Sequence, residues 1–308
     1  MAVGKRLARP GRRACRELAG AAGQDYLGGV DREKVDLTGA PETMLATLYG
    51  RALDSRAAKS ILHDSAAADA VARIEYDFRK TGVNAATAAG IAMRAKHLDN
   101  WTSGFLQENP TATVLHLACG LDTRAHRLAP GDGVRWIDVD YPDVVALRQR
   151  LLPTPSGDYR VVASSVTDAA WLEEVPADRP TVVVFEGLTM YLTGQEVQSL
   201  VERVVGRFAR GELLFDVYGT TGIRLQKLVP AVRNAGATLR WGLDDPHAIE
   251  RWGVRLVEDL RSLDLPEIAD LPAASRIPLR VMAKLPGFRD VGRILRYRFP
   301  ALSQPEQN

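Results

Sequence analysis

Apolar residues recur at three- and four-residue spacing through the first third of the chain: Met44, Leu45, Leu48 and Tyr49, then Ala70, Val71, Ile74 and Phe78. With polar positions between them, that period predicts amphipathic helices over residues 38–109. Residues 85–105 extend the pattern, with Ile91, Met93, Leu98 and Phe105 apolar and Arg94 and Lys96 interspersed. After Asn109-Pro110 the pattern changes to short, nearly continuous apolar runs at 113–118, 134–139, 159–163, 181–186 and 212–218. Each has the length of a buried strand, and helical stretches separate most of them, so a parallel sheet with right-handed crossovers is predicted. One helix start is explicit: Thr193 and Glu196 form a capping box ahead of an apolar face of Val197, Leu200, Val201, Val204, Val205 and Phe208. Beyond Tyr218 the pattern predicts a helix at 225–235, a short one at 245–252 and a strand at 255–258. A Pro-rich loop is expected at 265–278 and a last edge strand at 295–299.

At 308 residues and 46% hydrophobic content the chain can bury one large α/β core and still supply a cover. Forty basic and 38 acidic side chains leave a net charge of +2, which gives no support to a nucleic-acid or anionic-membrane partner. Cys15 and Cys119 stand in no paired or ligand spacing, and His63, His97, His126 and His247 show none for a metal, so neither disulfide nor metal site is expected. No apolar run approaches the roughly 20 residues that cross a bilayer. Residues 1–22 are basic through Lys5, Arg6, Arg9, Arg12, Arg13 and Arg16 without a following hydrophobic segment, unlike an export signal. They read as a solvated leader, with an Arg-rich organellar signal as the alternative, and a cytoplasmic location is the expectation.

The chemistry concentrates in VLHLACGLDTR at 114–124, where an apolar run ends in Gly120 before residues suited to open a helix. A second run, WIDVD at 136–140, ends in Asp140 before Tyr141-Pro142. Strand, glycine turn, helix, strand and acid outline a nucleoside-binding half of a doubly wound sheet. A dinucleotide and S-adenosylmethionine both present a ribose to such an acid. A pyrophosphate, however, needs close glycine backbone at the helix start. Here there is one glycine, and Asp122 two residues later would repel phosphate, so a cationic sulfonium fits better.

Three elements, ACGLDTR at 118–124, DVDYP at 138–142 and EGLTMYL at 186–192, together resemble the leucine carboxyl methyltransferase family, in its branch of bacterial natural-product O-methyltransferases. Arg94 in MRAKHLD at 93–99 and TGAPET at 38–43 extend the likeness. The resemblance implies a class I methyltransferase fold: an α/β, Rossmann-like doubly wound sheet over residues 111–218, a helical cover over 23–110, a lid insertion over 219–275, and a completion of the sheet by 276–308. It implies S-adenosylmethionine as cofactor, with Arg94 on its carboxylate, Gly120 at the backbone approach and Asp140 on the ribose diol, Asp138 being the alternative. Glu186 would stand by its ammonium, and Tyr191 at the mouth facing substrate. Where the family has Asp-Leu at the adenine, this chain has Ser164, Ser165 and Val166, so Ser165 and Val166 take that place. Ala118 stands where a glycine is usual.

His116 reads as a packed core residue and Cys119 as a small turn residue. A carboxylate acceptor is ionised at neutral pH and needs no base, whereas a phenol usually does; no base is evident, so a methyl ester is the expected product. The acceptor would be a small natural product or a peptide C-terminus. Methylation of a hydroxyl, and a cofactor-binding fold with a cyclase-like or regulatory role, remain alternatives. The cover over the acceptor would come from the N-terminal helices and residues 218–274, which carry Trp241, Trp252, Arg224, Arg233 and Arg240. Oligomeric state is not read from the sequence.

Overall fold

The computed structural model describes residues 32–35, 37–285 and 287–300; the leader over 1–22, with Cys15, lies outside them. Three helices come first, α1 (Ala40–Ser55), α2 (Ser65–Ala72) and α3 (Ala85–Glu108). Among the described residues seven strands then build one sheet: β1 (Thr113–Leu117), β2 (Arg135–Asp140), β3 (Asp158–Ala163), β4 (Thr181–Phe185), β5 (Gly211–Tyr218), β6 (Arg255–Arg261) and β7 (Gly292–Phe299). Their order is β3-β2-β1-β4-β5-β7-β6, with β7 antiparallel to both neighbours and β1 to β5 paired in parallel. The order reverses between β1 and β4, and a crevice opens there at the carboxyl ends of the strands. Between strands lie α4 (Arg124–Leu128), α5 (Pro142–Leu151), α6 (Ala170–Glu173) and α7 (Gly194–Arg207).

Burial on both faces explains the continuous apolar runs. Leu115, Leu117, Val183 and Phe185 share one layer with Val197, Leu200 and Val204 of α7, and Val114, Trp136, Val182 and Leu214 share the other with Met93, Leu98 and Trp101 of α3. Helix starts are specified by side chains. Asn84 accepts from the Ala86 and Thr87 amides at 3.0 Å to open α3, and the expected Thr193–Glu196 capping box opens α7.

The C-terminal third departs from the sequence pattern. The helix expected at 225–235 is broken into α8 (Thr220–Arg224), a 3-10 turn at Gln226–Leu228 and α9 (Pro230–Asn234), because Val229 before the proline is extended. The loop expected at 265–278 instead holds a 3-10 turn at Pro266–Asp270 and α10 (Ala273–Met282), which tolerates Pro278 and packs Leu279 against the α3 layer. The last strand is not an edge. β7 runs from 292 and is inserted between β5 and β6, where Glu212 of β5 accepts from Arg296 and Arg298, so β6 takes the edge. β6 thus lies in the sheet although it falls inside the 219–275 stretch expected as insertion. Gly211 opens β5 where a methyl group would run into the Thr181 carbonyl and the Phe299 ring. Gly211→Ala is expected to destabilise the protein by about 2–3 kcal/mol in denaturant unfolding, with no change in m-value.

Candidate active site

The turn after β1 reverses the chain through two left-handed residues, Ala118 at φ 49° and Gly120 at φ 50°. A side chain at Gly120 would strain the backbone at this positive φ and fill the space up to Met44 of α1, so glycine keeps the backbone open to the cleft. Ala118 adopts the left-handed conformation that a glycine would take with ease. Asp140, at the end of β2, accepts from the Gly120 amide at 2.6 Å and the Tyr141 amide at 2.7 Å. Burial raises its carboxyl above the ordinary aspartate value, against those two hydrogen bonds.

Arg148 of α5 clamps this turn. Its guanidinium donates to the Gly120 and Asp122 carbonyls and pairs with Asp138 at 2.7 Å. Asp138 also accepts from Trp136 Nε1 at 2.7 Å and Tyr159 Oη at 2.6 Å, and it meets His116 Nδ1 at 3.1 Å. Burial opposes its ionised form, yet Arg148 and His116 outweigh burial and hold it well below the usual range. Asp138 is therefore a structural anchor with no capacity left for a ribose, and the alternative to Asp140 falls away.

At the ends of β4 and β5 a second buried cluster forms. Arg94 of α3 donates from Nε to Glu186 at 3.0 Å and from Nη1 to Asp216 at 2.9 Å. The other oxygen of Glu186 accepts from Arg124 Nη2 at 2.7 Å, and Asp216 also accepts from the Gly187 amide at 2.6 Å. Burial alone would raise Glu186; Arg94 and Arg124 outweigh it and lower the carboxyl, whereas Asp216, with a smaller share of cation, is raised. Arg124 and Arg127 extend the cluster to Asp99 of α3 and Asp122, and Arg127 and Arg51 reach Asp64. Asp122 is thus paired with arginine rather than facing an incoming anion, and the argument against a dinucleotide narrows to the missing glycines.

These groups border a cleft of about 830 Å³. Arg94, Gly120, Asp140, Glu186 and Tyr191 all line it, so the structure brings five of the sequence candidates together. Ser165 and Val166 do not line it. Val166 is buried in the apolar core, and Thr167, hydrogen-bonded to Ser165 Oγ at 2.8 Å, is the residue of that loop on the cleft wall. Tyr191 donates to Thr43 Oγ1 at 2.8 Å, and burial pushes its phenol up to about 12. Of the residues expected to receive substrate, Arg240 lines the cleft while Trp252 is core and Arg224 and Arg233 lie elsewhere. Asp216, Arg148, Thr167 and Tyr218 were not singled out by the sequence. Asp216 is an acid near the end of an apolar strand, but the strand runs on to Tyr218 and masks it.

The donor set fits a sulfonium amino acid. Five guanidiniums, of Arg51, Arg94, Arg124, Arg127 and Arg148, meet seven carboxylates counting Asp140, and the excess negative charge favours a cationic guest. Arg94 Nη2 is buried without an aligned acceptor, 2.9 Å from Glu186 Oε1, which suits a carboxylate.

Three outcomes are expected. Asp140→Ala weakens S-adenosylhomocysteine binding by about 1.5–3 kcal/mol in calorimetric titration. Because a raised carboxyl protonates at higher pH than an ordinary one, acidification erodes wild-type affinity in a window above about pH 4, and Asp140→Asn loses that inflection. Arg148→Met leaves Asp138 buried without its main cation and lowers stability by about 3–5 kcal/mol in urea unfolding.

The family profile for leucine carboxyl methyltransferase matches residues 44–205. The chain is 41% identical over 269 residues to the tetracenomycin polyketide synthesis O-methyltransferase TcmP of Streptomyces glaucescens, covering 87% of this chain and 99% of that protein. It is 40% identical over 241 residues to the S-adenosyl-L-methionine-dependent methyltransferase dpfgK of Gibberella zeae, covering 72% and 81%. Among solved structures, a protein of Thermobifida fusca described as a candidate methyltransferase shares the fold with a TM-score of 0.53 at 17% identity, over 85% of this chain and 95% of that one. With its class I methyltransferase sheet and these matches, the chain belongs to the leucine carboxyl methyltransferase family.

Proposed function

We propose that this chain, an S-adenosylmethionine-dependent O-methyltransferase acting on a small molecule, forms methyl esters on the carboxylate of a largely apolar acid. The observation that carries the choice of acceptor is that the histidine, thiol and withdrawn phenols on the cleft are either engaged or held protonated. His116 lies between Asp138 and Arg124, with its ring nitrogens at 3.1 and 3.3 Å from them. Tyr191 and Tyr218 are both raised by burial and stay protonated, and burial raises the Cys119 thiol well above its ordinary value. A carboxylate needs no proton removed, whereas a phenol would.

When bound, S-adenosylmethionine supplies an electrophilic methyl group. Arg94, Glu186 and Asp140 would hold its amino-acid and ribose ends, with Gly120 giving backbone access and Thr167 on the adenine side in place of Ser165 and Val166. The chain's own contribution is position and exclusion of water. Pro41, Met44 and Ile91 of the N-terminal helices line the cleft together with Val229, Pro230 and Val232 of the 219–245 segment, a lining suited to an apolar acceptor body. Arg240, exposed at the mouth and without an ion-pair partner among the described residues, attracts an incoming anion. TcmP, a polyketide-pathway O-methyltransferase, supports a natural-product acid over a peptide terminus. No helix among the described residues is long and apolar enough to cross a membrane.

Incubated with aromatic carboxylic acids and the cofactor, the protein is expected to yield methyl esters and S-adenosylhomocysteine, with kcat nearly level from about pH 6 to 9. A rate that climbs with the ionisation of a phenolic acceptor, with no ester formed from acids, would overturn the carboxylate assignment.

A further inference from the structure

Three tyrosines line the cleft; Tyr141 is exposed to solvent, and the two that are withdrawn from it, Tyr191 and Tyr218, differ in what their hydroxyls do. Tyr191 spends its proton on Thr43. Tyr218, the last residue of β5, has no hydrogen-bond partner for its hydroxyl among the described residues, and the charges nearest it belong to Arg94 and Asp216. Asp216 and Tyr218 are two apart on one strand, so both side chains project to the same face, toward Arg94.

The position of Tyr218 is held firmly. Its carbonyl accepts from the Leu243 amide at 2.8 Å, and its strand partner is Gly292, where an added methyl would sit 3.7 Å from the ring. Gly222 leaves similar room, since a methyl there would come within 3.2 Å of Tyr218 Cβ. The ring packs beside Met190, Val232 and Leu239, at the junction of the sheet and the 219–245 segment. A protonated, rigid O–H donor with no partner of its own among the described residues, between the charged cluster of Arg94 and Asp216 and the apolar lining, can hydrogen-bond an acceptor oxygen in the cleft.

We infer that Tyr218 is a specificity residue that donates its hydroxyl proton to the acceptor carboxylate, at the oxygen that does not attack, and so orients the acid for methylation. The inference rests on the ester-forming reading above. No covalent step is added. The hydrogen bond is strongest to the charged acid and weaker to the neutral ester, so it favours substrate over product.

The test uses the protein saturated with S-adenosylhomocysteine, titrated with 2-naphthoate and, separately, with the neutral 2-naphthamide. Tyr218→Phe is expected to weaken 2-naphthoate about ten-fold while 2-naphthamide and S-adenosylhomocysteine change less than about two-fold. In turnover with 2-naphthoate the same variant is expected to raise KM about ten-fold and leave kcat within about three-fold. Equal binding of 2-naphthoate to wild type and variant overturns the inference. So does a parallel loss of both probes, which would show a packing role. If the wild type binds S-adenosylhomocysteine but neither binds nor esterifies 2-naphthoate, the ester-forming reading fails and this inference with it.

Discussion

Burying charge is expensive unless every ionised group finds a partner, and that constraint governs the upper rim of this sheet. Arg94, Arg124, Arg127 and Arg148 are withdrawn from water together with Asp99, Asp122, Asp138, Glu186 and Asp216. Each guanidinium spans elements distant in sequence. Arg94 joins α3 to β5 and to the residue after β4, and Arg148 joins α5 to the turn after β1. Losing one partner would strand a charge in low dielectric, so the cluster tolerates one geometry and few others. A binding rim of fixed dipoles and charges follows from folding itself and needs little reorganisation when a ligand arrives.

The same pairs tie the helical cover to the sheet. Asp99 on α3 receives both Arg124 and Arg127, and Asp64, which caps α2, receives Arg51, Arg127 and Thr123. The cover is therefore not a loose lid. It is bonded to the residues that follow the glycine turn, which links the helical wall of the cleft to the ends of the strands. The apolar lining from Met44, Ile91, Val229 and Val232 then keeps water from the reacting centre while polar groups stay at the rim.

Acids ending apolar runs were visible in the sequence because a buried parallel strand is a continuous hydrophobic stretch and an open sheet binds ligands where such strands finish. Asp140 and Glu186 stand out on that basis. Asp216 obeys the same rule but lies two residues inside the run, since β5 continues to Tyr218, and so it passes for an ordinary strand residue. Arg148 carries no local signal at all. On α5 it looks like any solvent-facing arginine, and only the packing of α5 beside β2 turns it inward to Asp138. In the loop after β3, Val166 is taken into the apolar core and Thr167, not Ser165 or Val166, lines the cleft, a choice that a local reading of the loop does not make.

By itself the sequence determined the alternation of strands and helices, the glycine turn and the acids at strand ends, because period, backbone conformational freedom and charge are local properties. It also carried the family likeness through three short motifs in order. The tertiary structure alone decided that β7 enters the sheet beside β5, that Asp138 is consumed by structure while Asp140 lines the cleft, and that, among the described residues, Tyr191 is hydrogen-bonded through its hydroxyl where Tyr218 is not. Those outcomes depend on which buried group reaches which partner across dozens of residues, and pairing at a distance leaves no periodic trace along a chain.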